Sequence, residues 1–220
     1  MKKLYATLGS GNCFKAQLLM HQLDIPFETQ AVDVLSGKTR TPDFLSLNPR
    51  GTVPFLQLEN GQSIAESNAM LWVLGAGSAL MPKDHYAQAK TIEWMIFEQT
   101  KLEPHISPAR FYTTIVPKHR EEMHENILDW LAQGTEGLNA LEAHLSQSDF
   151  MLGDTYSIAD IALFGYTHVA DEGGFNLSAF PAVSKWIERV EETPKFISMM
   201  DIWVDLLSAG DEQAEANGAT

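Results

Sequence analysis

The sequence predicts an α/β domain over residues 1–76 followed by an all-helical domain over residues 86–208. Two observations carry this. Before residue 76, short strand-like runs alternate with helical periodicity in the order β-α-β-α-β-β-α. Beyond Gly75-Ala76-Gly77-Ser78 no strand pattern recurs, and apolar residues return at helical spacings.

Leu4 to Leu8 reads as the first strand, stopped by Gly9-Ser10-Gly11-Asn12. Phe14, Leu18, Leu19 and Leu23 then recur on one helical face, and the helix ends before Asp24-Ile25-Pro26. Phe27 to Val34 is a second strand, expected beside the first. Gly37 to Arg40 is a loop, and Pro42 to Leu47 a short helix terminated by Asn48-Pro49. Val53 to Leu58 forms a compact apolar strand. Glu59-Asn60-Gly61 signals a hairpin with a two-residue turn, because Asn-Gly accepts positive φ. Gln62 to Ala65 returns antiparallel, and Ser67 caps a helix through about Leu74. This order is the thioredoxin arrangement.

Residues 77–85 form the expected linker. Helices are expected over Tyr86 to Thr100, Glu121 to Leu145, Pro181 to Val190 and Phe196 to Leu207. Ser157-Ile158-Ala159-Asp160 is a capping box with Asp in the place of the usual Glu, a device of stability rather than of chemistry. Residues 209–220 are polar and acidic and are expected to be disordered.

The chain has 220 residues and a formal charge of -14, which argues against nucleic acid and anionic membrane surfaces as partners. A small anionic ligand is still compatible, because a pocket can be positive inside an acidic shell. The one cysteine, Cys13, excludes an intramolecular disulfide and a multi-cysteine metal site. His119 and His124 lie five apart and miss the helical spacing of a zinc pair, so no metal is expected. No apolar run approaches the ~20 residues that span a bilayer, and Gly9 to Asn12 interrupt what would be a signal peptide. The expected compartment is the cytoplasm.

Three local features carry candidate chemistry. Val53-Pro54 could be a cis peptide, presenting the Val53 N–H and C=O to an extended peptide ligand; a trans proline opening an edge strand is the other reading. At Glu66-Ser67, a helix N-terminus and an anion lie side by side, suited to the carboxylate and ammonium of an amino-acid head. A plain serine cap is the alternative. Ser10-Gly11-Asn12-Cys13, between the first strand and first helix, offers donors and a helix dipole that favour a thiolate, or simply a cap.

Taken in order, these stretches resemble the glutathione transferase family across nearly the whole chain. The family pattern is a Ser, Tyr, Cys or Asn after the first strand, then NPxGxVPxL, then ESxAIxxYL; here the latter two read NPRGTVPFL and ESNAMLWVL, and the second domain carries SIADIALFGY and WIERVEETPKF. The resemblance implies the glutathione transferase fold, with the helical domain completing the pocket and glutathione as co-substrate. It implies that Val53 pairs with the cysteinyl backbone and that Glu66 and Ser67 hold the γ-glutamyl end. Thr52 falls where several classes touch the peptide, and Arg40 falls in the loop that contacts the glycyl carboxylate. Ser10 takes the position of the hydroxyl that stabilises the thiolate.

Gly11 departs from the Pro common after this Ser. Ser10-Gly11-Asn12 also resembles the Thr-Pro-Asn of nu-class bacterial relatives, in which an Asn helps orient the thiol and disulfide reduction is prominent. Ser10 and Asn12 are therefore the candidate catalytic pair. Cys13 is a buried small side chain or a reactive thiol. Phe111 and Tyr112 line a hydrophobic-electrophile pocket or pack in the core, and Arg110 steers an anionic electrophile or makes a salt bridge. The expected activity is conjugation of glutathione to a hydrophobic electrophile, in a homodimer. The alternatives are glutathione-dependent disulfide or peroxide reduction, and a non-catalytic ligand-binding or interaction role.

Overall fold

The computed structural model describes residues 1–203. The expected disorder of 209–220 and the end of the last expected helix lie outside the described residues. The chain divides into two compact units, Met1–Met70 joined by the segment from Pro194, and Leu71–Thr193.

The first unit is a four-stranded sheet in the order β2-β1-β3-β4, the thioredoxin-like arrangement. β1 (Lys2–Ala6) runs parallel to β2 (Phe27–Ala31) and antiparallel to β3 (Phe55–Gln57), which pairs antiparallel with β4 (Ser63–Ile64). The parallel pair needs a crossover, and α1 (Gly11–Gln22) provides it. Leu4 and Ala6 of β1, Phe14, Leu18 and Leu19 of α1, and Leu56 of β3 are all completely buried. β2, β3 and β4 are shorter than their apolar runs suggested, whereas β1 keeps the expected length but lies two residues earlier in the chain.

The hairpin forms with different geometry. The Gly61 N–H bonds to the Leu58 carbonyl at 3.0 Å, and Leu58 pairs with Gln62 at 2.8 Å across the turn. Gly61 alone has positive φ (84°), so three residues close a bulged loop where a two-residue turn was expected. α2 (Pro42–Leu47) has Thr41 as cap and Pro at its first turn, as its sequence implies. α3 (Ser67–Gly75) follows β4. The returning C-terminal segment ties to this unit through the Lys195 carbonyl, 2.8 Å from His21 Nδ1, and the Lys195–Asp24 ion pair.

The second unit has no strand among its described residues. It contains α4 (His85–Phe97), α5 (Glu103–Arg110), α6 (His124–Leu145), α7 (Ile158–Thr167) and α8 (Pro181–Glu191). α5 escaped sequence reading for a clear reason. Pro104 and Pro108 remove two backbone donors, and the ladder widens into π turns at Glu98–Leu102 and Phe111–Ile115 on either side. α6 approaches the first of these closely at Gly137, where a Cβ would meet the Lys101 carbonyl at 2.5 Å.

α7 is buried along its whole length, and its amphipathic neighbours enclose it. The expected capping box is present. The Ala159 N–H bonds to Ser157 Oγ (3.2 Å), and the Ser157 N–H bonds back to the Asp160 carboxylate (2.9 Å). Asp160 also accepts the Met151 N–H (2.9 Å) and Trp186 Nε1–H (3.0 Å), so one buried carboxylate joins α7, α8 and the loop before them. α8 is capped at long range by Glu142 of α6, which accepts the Ala182 and Val183 N–H groups at 2.9–3.0 Å.

Two outcomes follow from this helical core. Asp160→Ala strands four buried donors, the Met151 and Ser157 N–H groups, the Ser157 hydroxyl and the Trp186 indole N–H; at about 1–3 kcal/mol for each left unpaired, it should lower the unfolding free energy by about 3 kcal/mol or more in urea titration. His168, stacked on Phe164 at 4.4 Å, donates from Nδ1 to the Phe164 carbonyl at 2.6 Å; burial lowers its pKa to about 4. Its stabilising contribution is complete above about pH 6.5 and falls away as the pH drops towards 4. Asp160, raised to about 6 by burial, acts with the opposite sign and favours the fold as the pH falls through that value. Between pH 6.5 and 4, His168→Gln should therefore gain stability relative to wild type. An unchanged difference across that window would contradict the assignment.

Candidate functional site

The candidate residues of the first unit gather at one end of the sheet. Tyr5 of β1 lies opposite Phe55 of β3, and the same antiparallel register carries residue 7 level with Val53. The corner that leaves β1 and the loop that enters β3 therefore meet at one edge. Ser10 caps α1, its Oγ accepting the Cys13 N–H at 3.3 Å.

The loop before β3 is shaped by Asn48, which the sequence reading treated as a helix terminator and a motif residue without giving its side chain a role. Asn48, 2% exposed, donates from Nδ2 to the Thr52 carbonyl (2.8 Å) and accepts the Arg50 N–H on Oδ1 (3.2 Å). Gly51 sits between them at φ 62°, where a Cβ would lie 2.5 Å from Arg40 Nη1. Only glycine meets both conditions. Arg40 in turn donates to the Arg50 carbonyl at 3.2 Å, which braces the loop from outside while its guanidinium stays exposed.

This frame sets up Val53-Pro54, which is cis. Val53 precedes the first ladder residue of β3, and its N–H and C=O take no partner among the described residues. Thr52 beside it is exposed, with its carbonyl held by Asn48. A free extended backbone segment, half-buried at a sheet edge, suits pairing with a peptide.

α3 brings the third feature. Ser67, 5% exposed, donates its hydroxyl to Asn12 Oδ1 at 3.0 Å, joining the starts of α1 and α3 across 55 residues of sequence. The same oxygen accepts from Lys15 Nζ at 2.8 Å. Glu66 is ion-paired with Arg50, a partner the sequence reading did not assign. Both side chains are about 60% exposed, so the pair is weak and a ligand ammonium can compete for the carboxylate.

The helical unit holds the remaining candidates. Arg110, 7% exposed, directs Nε to Glu172 at 2.8 Å, so its guanidinium is engaged in a salt bridge. Phe111 meets Tyr112 edge-on at 5.1 Å, and Tyr112 stacks on Trp130 at 5.9 Å. Both rings lie in the π turn and are half-buried. Among the described residues no group of His, Cys, Asp or Glu is arranged to hold a metal, and no helix is long and apolar enough to cross a membrane.

Comparison with known proteins gives a consistent result. The model of the "Glutathione S-transferase, N-terminal domain" matches residues 9–76, and that of the "Glutathione S-transferase, C-terminal domain" matches residues 102–194. A possible glutathione S-transferase from Rhodopseudomonas palustris is 46% identical, with 90% of each chain covered and a TM-score of 0.88. A glutathione S-transferase from Pseudomonas fluorescens is 42% identical, covering 91% of this chain and 99% of that one, also at TM-score 0.88. A glutathione transferase from Burkholderia graminis, solved with two glutathione molecules bound per subunit, is 25% identical over 88% of this chain and 85% of its own, at TM-score 0.76. Protein URE2 of Candida albicans is 26% identical, spanning 87% of this chain and 67% of that protein.

Of the two readings of Cys13, the geometry supports the structural one. Its side chain is fully buried, and burial pushes the thiol pKa up to about 11 despite the opposing Ser10 hydrogen bond. In the folded protein at pH 8, Cys13 should stay unmodified by a thiol reagent over hours and react within minutes after denaturation. Rapid labelling of the native protein, read by intact mass, would assign it a reactive role instead.

Proposed function

The chain belongs to the glutathione S-transferase family, and from that premise we propose that it binds reduced glutathione, ionises its thiol and conjugates the tripeptide through its sulfur to a hydrophobic electrophile. The observation that carries the proposal is the unpartnered Val53 backbone, set at the same sheet end as the Asn12–Ser67 contact. The cysteinyl segment of the tripeptide pairs with Val53 beside Thr52. Its γ-glutamyl carboxylate meets the N-terminus of α3 at Ser67, and its ammonium meets Glu66. Arg40 and Arg50 supply cations for the carboxylates.

The sulfur then lies at the corner after β1. The thiol proton leaves to solvent, and the anion is held by the Ser10 hydroxyl and the Asn12 amide. The thiolate attacks the electrophilic carbon, forming the C–S bond as the leaving group departs with its electron pair. Ser10 Oγ accepts the Cys13 N–H, and its O–H is the proposed donor to the glutathione sulfur. Phe111 and Tyr112 of the helical unit are proposed for the electrophile, and Arg110 is held in a salt bridge by Glu172. The assembly proposed is a homodimer.

A second reading is glutathione-dependent disulfide reduction, in which the same thiolate attacks sulfur. The Burkholderia graminis relative with two bound glutathione molecules favours it, as does the engagement of Asn12 at the corner.

Immobilised glutathione and a thermal-shift titration test the binding step. Failure to bind, with no shift at millimolar glutathione, would leave a non-catalytic role. Given binding, relative turnover of an aryl halide and a mixed disulfide decides between the two reactions. Ser10→Ala should lower kcat about tenfold or more with little change in the glutathione KM. Glu66→Ala should instead raise that KM about tenfold with kcat nearly kept. Equal effects of Ser10→Ala on both constants would remove it from the thiolate.

A further inference from the structure

We propose that Lys15 is a positioning residue of this site: its buried ammonium fixes the Asn12 side chain so that the amide nitrogen faces the ligand's sulfur. The proposal rests on the glutathione reading above.

Lysine is among the residue types least often fully buried, yet Lys15 has 0% exposure in the first turns of α1. Its Nζ lies 2.8 Å from Asn12 Oδ1. An ammonium only donates, so the atom facing it must be the amide oxygen. This settles which way the Asn12 amide points, a choice that is otherwise assigned rather than seen. Ser67 Oγ reaches the same oxygen at 3.0 Å, filling its second acceptor direction. A flipped amide would set NH2 against NH3+ and lose the acceptor that both neighbours use. The nitrogen end is therefore held on the opposite side of a half-buried side chain at the start of α1.

Two consequences follow for a sulfur at this corner. The donor is pre-oriented, so no rotamer search precedes thiolate stabilisation. A fixed positive charge also stands one side chain behind the donor, polarising the amide and favouring the anion. The bland alternative is a lysine whose stem fills the core and whose head finds the nearest oxygen. That role would leave the ligand's thiol untouched.

The test is ultraviolet titration of the thiolate of bound glutathione, with steady-state kinetics, for wild type, Asn12→Ala, Lys15→Met and Lys15→Arg. Lys15→Met keeps the length and removes the charge. It should raise the bound thiol's pKa by about one unit and lower kcat at neutral pH about tenfold, with the glutathione KM changed less than about threefold. Lys15→Arg should recover part of both. A Lys15→Met protein that binds glutathione with the wild-type thiol pKa overturns the proposal, whereas a wild-type protein that binds no glutathione overturns the underlying reading. If Lys15→Met does not fold, the side-chain amide resonances of Asn12 in the wild type provide the measurement. A shift of these signals on adding glutathione supports the proposal, and their constancy at saturating ligand sinks it.

Discussion

The candidate site depends on one hydrogen bond, from Ser67 Oγ to Asn12 Oδ1. Each partner stands at the start of a helix, where backbone N–H groups have no intrahelical acceptor and the dipole is positive. Joining these two starts brings two anion-favouring ends to the same edge of the sheet. Neither helix could achieve that alone, because α1 begins after β1 and α3 after β4. The parallel β1–β2 pair and the antiparallel β1–β3 pair place the strands, and this side-chain contact fixes the two helix ends against each other.

A second constraint lies in the loop over residues 48–52. The Arg50 N–H and the Thr52 carbonyl are held by the Asn48 side chain, and the Arg50 carbonyl by Arg40. The Val53 N–H and C=O are left open while the segment around them is held. A half-buried unsatisfied backbone is ordinarily a cost in stability. The packing of Arg40 against Gly51 explains why a residue expected to reach a ligand is also part of the scaffold.

How much of this could be read from the sequence follows from the range of each interaction. The order of strands and helices was legible because periodicity and caps are local. The capping box at Ser157 and Asp160 was legible for the same reason, its residues being three apart. What could not be read was the long-range use of ordinary residues. Asp160 also holds Trp186, Glu142 caps α8, and Arg50 pairs with Glu66, each across a sequence gap that no local pattern encodes. The π turns around α5 were hidden because two prolines argue against a helix, although the wider ladder accommodates them. Lys15 was hidden by its type. A lysine on a helix reads as solvent-facing, and only its burial against Asn12 gives it a place in the site.

The charge distribution removes an apparent conflict. A chain with a formal charge of -14 is a poor host for an anionic tripeptide if that charge is spread evenly. It is not. Residues 1–70 carry six Lys and Arg against six Asp and Glu, and the rest of the chain carries nine against twenty-three. Residues 1–70 are therefore formally neutral, and half of their cations, Lys15, Arg40 and Arg50, belong to the candidate site or its scaffold. Screening confines the acidic field to about 8 Å at physiological ionic strength, so a locally balanced sheet edge is little affected by distant carboxylates. A formal charge of -14 over the whole chain is thus compatible with attraction of a small anion by one part of it. The fixed ammonium at Lys15 takes this furthest, because a buried charge is screened least and acts on the few atoms next to it.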